Sequence, residues 1–155
     1  MNIFILDKDV KLSAKYHCDQ HVNKMILEAA QMACTVQTLL GNVNVPYRAT
    51  HPNHPCTIWA RESLDNYIYL LDYAFYLNEE AKARYERTTD HKSWLVIESL
   101  PFPDLPSKGL TPYARAMPDE FKKIADPIEA YRAYYKTKEF AVWKKGKPYW
   151  MTQLS

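Results

Sequence analysis

The chain has only 3 glycines in 155 residues. Globular proteins carry about 7% glycine, and β-hairpin turns depend on it, so the shortage argues against a sheet built from hairpins. The 3 cysteines, Cys18, Cys34 and Cys56, are odd in number and contain no Cys-x-x-Cys pair, which argues against a disulfide framework. We therefore expect a helical protein with reduced thiols in the cytoplasm.

Long hydrophobic runs and an excess of one charge are also absent. The longest apolar run, residues 67–77, is interrupted by Asp72 and is far shorter than the roughly 20 residues of a membrane span. The N-terminus lacks the apolar run of a signal peptide. The net charge of +2 is too small by itself to indicate a nucleic acid partner. We expect one domain over residues 1–155 and no membrane partner, whereas composition leaves the oligomeric state open.

The spacing of apolar residues predicts an all-α domain of two long helices plus shorter helices, with a short extended N-terminal arm. Residues 2–6 form this arm or a short buried strand. The first long helix runs from about residue 10 or 13 to residue 40, as one helix or as two joined near Cys18, and Gly41 ends it. Three prolines between residues 41 and 56 indicate a loop.

Further helix starts are predicted from capping patterns. Thr57 is a plausible N-cap for the second long helix, to about residue 87, and Asp90 for a short helix to about residue 100. The pairs Thr111-Pro112 and Asp126-Pro127 each combine an N-cap residue with proline in the first turn. The second pair should open a helix to about residue 140.

Five polar side chains share one sector of the first helix: His17, His21, Lys24, Glu28 and Gln31. Their sector adjoins the apolar face, where partial desolvation shifts pKa values. An imidazole, an amine and a carboxylate held together are acid–base groups, so we expect this polar stripe to line a cleft. The alternative is a solvated border in which Glu28 pairs with Lys24.

A second concentration of histidine follows at residues 50–57. This segment contains Pro52 and Pro55 together with His51, Asn53 and His54. The prolines stiffen it, so its polar side chains should contact a substrate and one histidine should approach the first helix. A phosphate could bind at a helix start near Thr57, with Arg61 one turn further on. Alternatively, the two histidines only cap local structure.

A zinc site would be the rival use of these histidines. His17 and His21 have the spacing that lets two imidazoles share an ion, and the second segment could complete the ligands. However, Cys18 stands where zinc-binding helices of this kind carry glutamate. We therefore predict that no metal or other cofactor is needed.

The C-terminal part is basic and aromatic. Between residues 132 and 147 the chain has six basic side chains and one acidic one, and the lysines are Lys136, Lys138, Lys144, Lys145 and Lys147. Tyrosine, phenylalanine and tryptophan residues alternate with them, which suits phosphate contact combined with base stacking. The alternative is a solvated lysine-rich segment whose aromatic residues pack on the core.

The run Asp19-Gln20-His21, followed seven residues later by Glu28, resembles the pyrimidine dimer DNA glycosylase family, the phage endonuclease V type. In that family such a triplet precedes the catalytic glutamate by the same interval on the first helix. The extended opening, the charged end of the second helix and the basic C-terminal segment are also similar. The phage enzyme has arginines where this chain has Leu27 and Gln31.

The resemblance implies a mechanism. An N-terminal α-amine normally has a lower pKa than a lysine amine, so more of it is neutral near pH 7. It would attack the deoxyribose C1′ and form an imine, while Glu28 stabilises the cationic sugar and assists β-elimination. Asn2 is too large for removal of the initiator methionine, so the amine would be that of Met1. His21 would line the site, and the protein would be phage-type, acting in the host cytoplasm.

Three functions follow from these patterns. The first is an enzyme that cleaves a glycosidic bond in DNA, with Glu28, His21, Lys24 and Met1 as catalytic groups. The second is an enzyme acting on a free or signalling nucleotide, in which His51, His54 and Arg61 bind phosphate. The third is a non-enzymatic nucleic-acid-binding or inhibitor protein that binds through the C-terminal lysines. A substrate contact for His17 and Gln31 is expected in either enzyme.

Overall fold

The computed structural model describes residues 1–152. This part of the chain forms seven α-helices and one short 3-10 helix, with no β-strand. The predicted all-α fold is confirmed. No helix within these residues is both long and apolar enough to cross a membrane. The three cysteine thiols are free and buried.

The N-terminal residues form the extended arm rather than a strand. Residues 2–6 are buried, and side chains from elsewhere bind their backbone groups. The N–H of Phe4 donates to the Tyr73 hydroxyl at 3.3 Å, and that of Leu6 donates to Ser13 Oγ at 2.9 Å. Arg132 Nε donates to the carbonyl of Leu6 at 2.8 Å. The arm therefore needs no partner strand to satisfy its backbone.

The first predicted helix is two helices, α1 (Val10–Tyr16) and α2 (Asp19–Leu39), joined at Cys18. This confirms the second of the two alternatives. Arg84 stabilises the break, because its guanidinium donates to the carbonyls of Lys15 and His17 at 3.0 and 2.7 Å. These carbonyls lie where α1 ends and its last groups lack helical partners. The bend turns α2 so that its N-terminal half passes the arm.

The second predicted helix is also divided, which the sequence-based prediction missed. It consists of α3 (Pro55–Ala60) and α4 (Leu64–Arg84). Ser63 caps α4 by accepting from the N–H of Asn66 at 3.0 Å, although no glycine or proline marks the break. The expected N-cap at Thr57 is wrong, since His54 caps α3 and Thr57 is buried inside it.

The remaining helices are α5 (Lys92–Ser99), α6 (Asp119–Lys122) and α7 (Pro127–Tyr135), followed by a 3-10 helix (Tyr149–Met151). His91, not Asp90, caps α5. The predicted cap of α7 at Asp126 is confirmed, but α7 ends at Tyr135 rather than near residue 140. No helix begins at Thr111, because its backbone N–H donates to Asn66 Oδ1 at 3.0 Å.

Helix α2 lies in the centre of the fold. It packs against α4, and α3 and α5 flank it. Aromatic side chains fill much of the core, and the largest fully buried ones are Tyr67, Tyr73, Tyr131, Tyr135 and Trp150. This packing accounts for part of the aromatic excess in the sequence. It also brings the arm and α7 together at the N-terminal end of α2.

Candidate active site

The Met1 α-amine and the Glu28 carboxylate form a buried ion pair. The amine nitrogen lies 3.1 Å from Glu28 Oε1, and the side chains of Met1 and Glu28 are only 3% and 11% exposed. A charge-assisted contact at this distance is strong when water is largely excluded. The arm thus brings a primary amine to the one carboxylate of the polar stripe.

Asn2 fixes the position of that amine. Its Oδ1 accepts from the Tyr131 hydroxyl at 3.2 Å, and its Nδ2 donates to the carbonyl of Ala116 at 2.8 Å. The Thr57 hydroxyl donates to the Met1 sulfur at 3.6 Å. The end of the arm is therefore held from three distant parts of the chain.

Lys24 connects this ion pair to solvent. Its Nζ lies 4.0 Å from Glu28 Oε2, and its side chain is 64% exposed. Gln31, one turn beyond Glu28, is half-buried. Both Lys24 and Gln31 line a groove between α2, residues 46–50 and α5, which we call the α2–α5 groove. Glu28 therefore lies at the border between the core and an open groove, the position predicted from its sector.

His21 is a neutral imidazole packed beside the arm. Its ring stacks on Phe4 with centroids 4.8 Å apart, and Nδ1 lies 2.9 Å from the Tyr135 hydroxyl. The Tyr135 hydroxyl also accepts from the N–H of Cys18 at 2.8 Å and lies 3.1 Å from Cys18 Sγ. Burial, with smaller contributions from the Lys138 and Lys24 charges, lowers the pKa of His21 to about 4.

His17 is fully buried, which corrects the expectation that it contacts a substrate. Its Nδ1 lies 2.7 Å from the carbonyl of Ser13, and Nε2 lies 2.6 Å from the Tyr73 hydroxyl. That hydroxyl in turn accepts from the N–H of Phe4. Both ring nitrogens are therefore used inside the protein, and His17 supports the arm.

His17 makes stability depend on pH. Burial lowers the pKa of His17 from its ordinary value of 6.5 to about 3. Between these values the unfolded chain binds a proton that the folded protein excludes, so this residue costs about 1.4 kcal/mol of stability per pH unit as the pH falls. The free energy of unfolding, measured with urea, should therefore fall more steeply from pH 6.5 to pH 4 in the wild type than in His17→Gln. Equal slopes in the wild type and in His17→Gln would contradict this role. So would an equally reduced slope in His51→Gln, since His51 is exposed.

Thr50 holds the segment after α2 to that helix, whereas the side chains of His54 and Arg61 bond to groups of the segment itself. Thr35 Oγ1 accepts from the N–H of Thr50 at 3.0 Å, which holds the segment to α2. His54 Nδ1 accepts from the N–H of Cys56 at 3.1 Å, so the capping alternative applies to His54. Arg61 Nη1 donates to the carbonyl of Pro52 at 3.0 Å.

These contacts correct the phosphate site expected at Thr57, because Thr57 is buried and Arg61 is directed to the segment. His51 and Asn53 are exposed. His54 is half-buried, and the pKa of His54 is lowered by burial and then by the Met1 ammonium, while the Glu28 charge opposes the change. His54 therefore lies within electrostatic range of the Met1–Glu28 pair.

Within residues 1–152, no group of three or more histidine, cysteine or acidic side chains is arranged to hold a metal ion. His17, the first proposed ligand, has both nitrogens hydrogen-bonded to protein groups. The zinc alternative therefore has no ligand set in this part of the chain.

Asp19 and Gln20 join α2 to distant segments. Asp19 Oδ1 lies 3.1 Å from Arg84 Nη1. The Gln20 side chain donates to the carbonyl of Phe140 at 2.7 Å and accepts from the N–H of Val142 at 3.1 Å. The first two residues of the triplet thus hold the C-terminal segment against the N-terminus of α2.

The C-terminal lysines lie in three environments. Lys138 Nζ lies 4.2 Å from the ring centroid of Tyr134 and 5.3 Å from that of Phe4, beside His21. Lys144, Lys145 and Lys147 are exposed, and Lys136 is half-buried near α7. Of these five lysines, Lys138 is the one that approaches the arm and His21.

A family model described as pyrimidine dimer DNA glycosylase matches residues 1–93. The chain belongs to this family. The matched residues contain Met1, the Asp19-Gln20-His21 triplet and Glu28, so the resemblance seen in the sequence is confirmed. Neither the curated proteins nor the solved structures compared with the chain include a match. Membership of a DNA glycosylase family implies DNA as the substrate.

Sequence reasoning missed several residues that build this glycosylase-family site. Asn2 positions Met1 through its contact with Ala116, and Tyr135 positions His21 by direct contact. Both contacts join residues more than 110 positions apart. Arg84, at the charged end of the second predicted helix, is buried at the α1–α2 break.

Proposed function

We propose that the protein is a DNA glycosylase with an associated lyase activity, and that the α-amine of Met1 is its nucleophile. The observation that carries this proposal is the 3.1 Å contact between the Met1 nitrogen and Glu28 Oε1. A carboxylate beside a primary amine can take its proton and then interact with the positive charge that develops on the sugar. The family match supports the DNA glycosylase part of the proposal.

The reaction begins when Glu28 accepts a proton from the Met1 ammonium. The freed electron pair of the amine bonds to C1′ of the deoxyribose. The N-glycosidic bond breaks, and its electron pair leaves with the base, which takes up a proton. The Met1 nitrogen, now bonded to C1′, gives its second proton to the departed base. Glu28 gives the proton that it took to O4′ as the C1′–O4′ bond opens. This leaves a positively charged imine between C1′ and Met1, and Glu28 is again a carboxylate.

The lyase step uses the same carboxylate. Glu28 removes a proton from C2′, whose electrons form a double bond to C3′ and expel the 3′ phosphate. Water then hydrolyses the imine and releases Met1. The exposed ammonium of Lys24, 4.0 Å from Glu28 Oε2, contacts a phosphate at the mouth of the site. Nε2 of neutral His21 accepts a hydrogen bond from the substrate.

The other proposed substrate contacts surround this centre. Lys138, Lys144, Lys145 and Lys147 bind the DNA backbone, whose phosphates supply most of the affinity of such enzymes. The exposed His51 and Asn53 and the half-buried His54 border the other side of the site. Arg61 is bonded to its own segment, so the residues proposed for free-nucleotide binding do not form one phosphate site.

Borohydride trapping tests this function. The protein would be mixed with a duplex oligonucleotide carrying one pyrimidine dimer, with an undamaged duplex as the control. Borohydride should reduce the imine and yield a covalent complex only with damaged DNA, and peptide mapping should find the sugar on the Met1 nitrogen. Excision without any trapped complex would reject the imine. The absence of both excision and trapping would reject the glycosylase function itself.

A further inference from the structure

The α2–α5 groove shares one residue, Lys24, with the candidate active site. It encloses about 630 Å³, and Lys24, Gln31, Arg48 and Lys92 lie in its lining. Lys24 is common to both features, since its ammonium lies 4.0 Å from Glu28 Oε2. Lys24 is therefore the point at which a DNA strand that reacts at Met1 would enter the groove.

The groove is positively charged. Three basic side chains and no acidic side chain line it. Within residues 1–152, Arg48 and Lys92 form no ion pair with a carboxylate. Burial, followed by the charges of Arg87 and Lys92, lowers the pKa of His91 at the edge of the groove. Uncompensated cations around a concave surface attract an anion of matching shape.

One wall of the groove is apolar and held in place. Leu27 is 37% exposed there, and Tyr47 is fixed by a 2.9 Å hydrogen bond between its hydroxyl and Ser93 Oγ. Thr35 binds both the N–H and the carbonyl of Thr50, so the segment that carries Tyr47 is anchored on α2. An apolar wall next to separated cations can contact the sugars or bases of a strand while the cations contact its phosphates.

We propose that the groove binds one unpaired DNA strand next to the reactive nucleotide. Arg48 and Lys92 contact its phosphates, while Leu27 and Tyr47 contact its sugars and bases. A paired strand would leave the apolar wall without a partner, because a duplex presents phosphates to the protein and keeps its base faces stacked. This inference rests on the proposed function, since it takes DNA as the substrate.

DNA binding by the Glu28→Gln protein tests the groove without requiring excision. Affinity for a labelled single-stranded oligonucleotide would be measured over a salt series. Adding Arg48→Ala and Lys92→Ala should weaken binding at least about tenfold and reduce the salt slope by about 1.4, since each phosphate contact on a single strand contributes about 0.7. Leu27→Ala should weaken binding without changing the slope. The matched control, Lys11→Ala with Lys15→Ala, removes two lysines of a different groove and should change neither quantity.

Three results would overturn the proposal. One is an equal loss in the control pair, which would indicate only an overall charge effect. Another is a larger loss on duplex than on single-stranded DNA, which would assign the cations to a paired backbone. The third is equal affinity for thymidine monophosphate, which would replace a strand with a mononucleotide. Absence of borohydride trapping in the wild type would reject the reaction at Met1 but would leave this binding result unchanged.

Discussion

Replacing Glu28 with glutamine is expected to lower the excision rate by about 10²- to 10³-fold, the usual cost of losing a preorganised electrostatic group. In the wild type, the Met1 nitrogen lies 3.1 Å from Glu28 Oε1. Glutamine keeps the shape of the side chain and an oxygen that can accept a hydrogen bond from this nitrogen. It cannot take the proton of the amine or balance a positive sugar. Single-turnover excision from a duplex with one pyrimidine dimer measures the effect.

The matched control for this prediction is Glu120→Gln, because Glu120 is an exposed carboxylate of α6. It should leave the excision rate unchanged. Circular dichroism and DNA affinity should remain close to the wild-type values in both variants. Excision that persists undiminished in folded Glu28→Gln protein would remove Glu28 from the mechanism.

Adding one glycine before Met1 is expected to abolish both borohydride trapping and excision. The extension converts the α-amine into an amide, which is not nucleophilic. It also displaces the new amine from Glu28, in a place where the Met1 side chain is only 3% exposed. The trapped complex would be quantified on a denaturing gel, and intact mass would establish that the added residue is retained.

Lys24→Ala is the comparison for the glycine extension. Lys24 is the other primary amine beside Glu28, so it is the alternative nucleophile. Trapping should persist in Lys24→Ala and disappear in the extended protein. The reverse pattern would assign the imine to Lys24 and leave Met1 with a structural role.

The chemistry of α2 could be predicted from sequence because a helix converts spacing into position. His21, Lys24 and Glu28 share a sector whatever surrounds the helix, and their place beside an apolar face follows from the pattern of their neighbours. His17 belongs to the same sector but lies before the break at Cys18. Its full burial depends on Tyr73, a contact that no local pattern reveals.

The divisions and anchors of the fold could not be predicted, because they depend on single side chains that act across the molecule. Ser63, between α3 and α4, has no glycine or proline beside it, and its hydroxyl donates to the distant carbonyl of Gly109 at 3.3 Å. The Thr111-Pro112 pair has the composition of a helix start, yet its backbone binds Asn66 instead. In both cases tertiary hydrogen bonds decide the structure. The local preference, for a continuous helix at Ser63 and for a helix start at Thr111, is weak by comparison.

The anchoring of Asn2 makes assembly of the nucleophile a late event during synthesis. Asn2 binds Ala116 and Tyr131, which follow it by 114 and 129 residues. The amine and Glu28 leave the ribosome long before these partners exist. A nascent chain containing only the arm and the first four helices therefore has both reactive groups and the Thr57 contact, but it lacks the two contacts of Asn2. The contacts that position the amine are complete only when α7 has docked, so shorter chains lack part of the organised site.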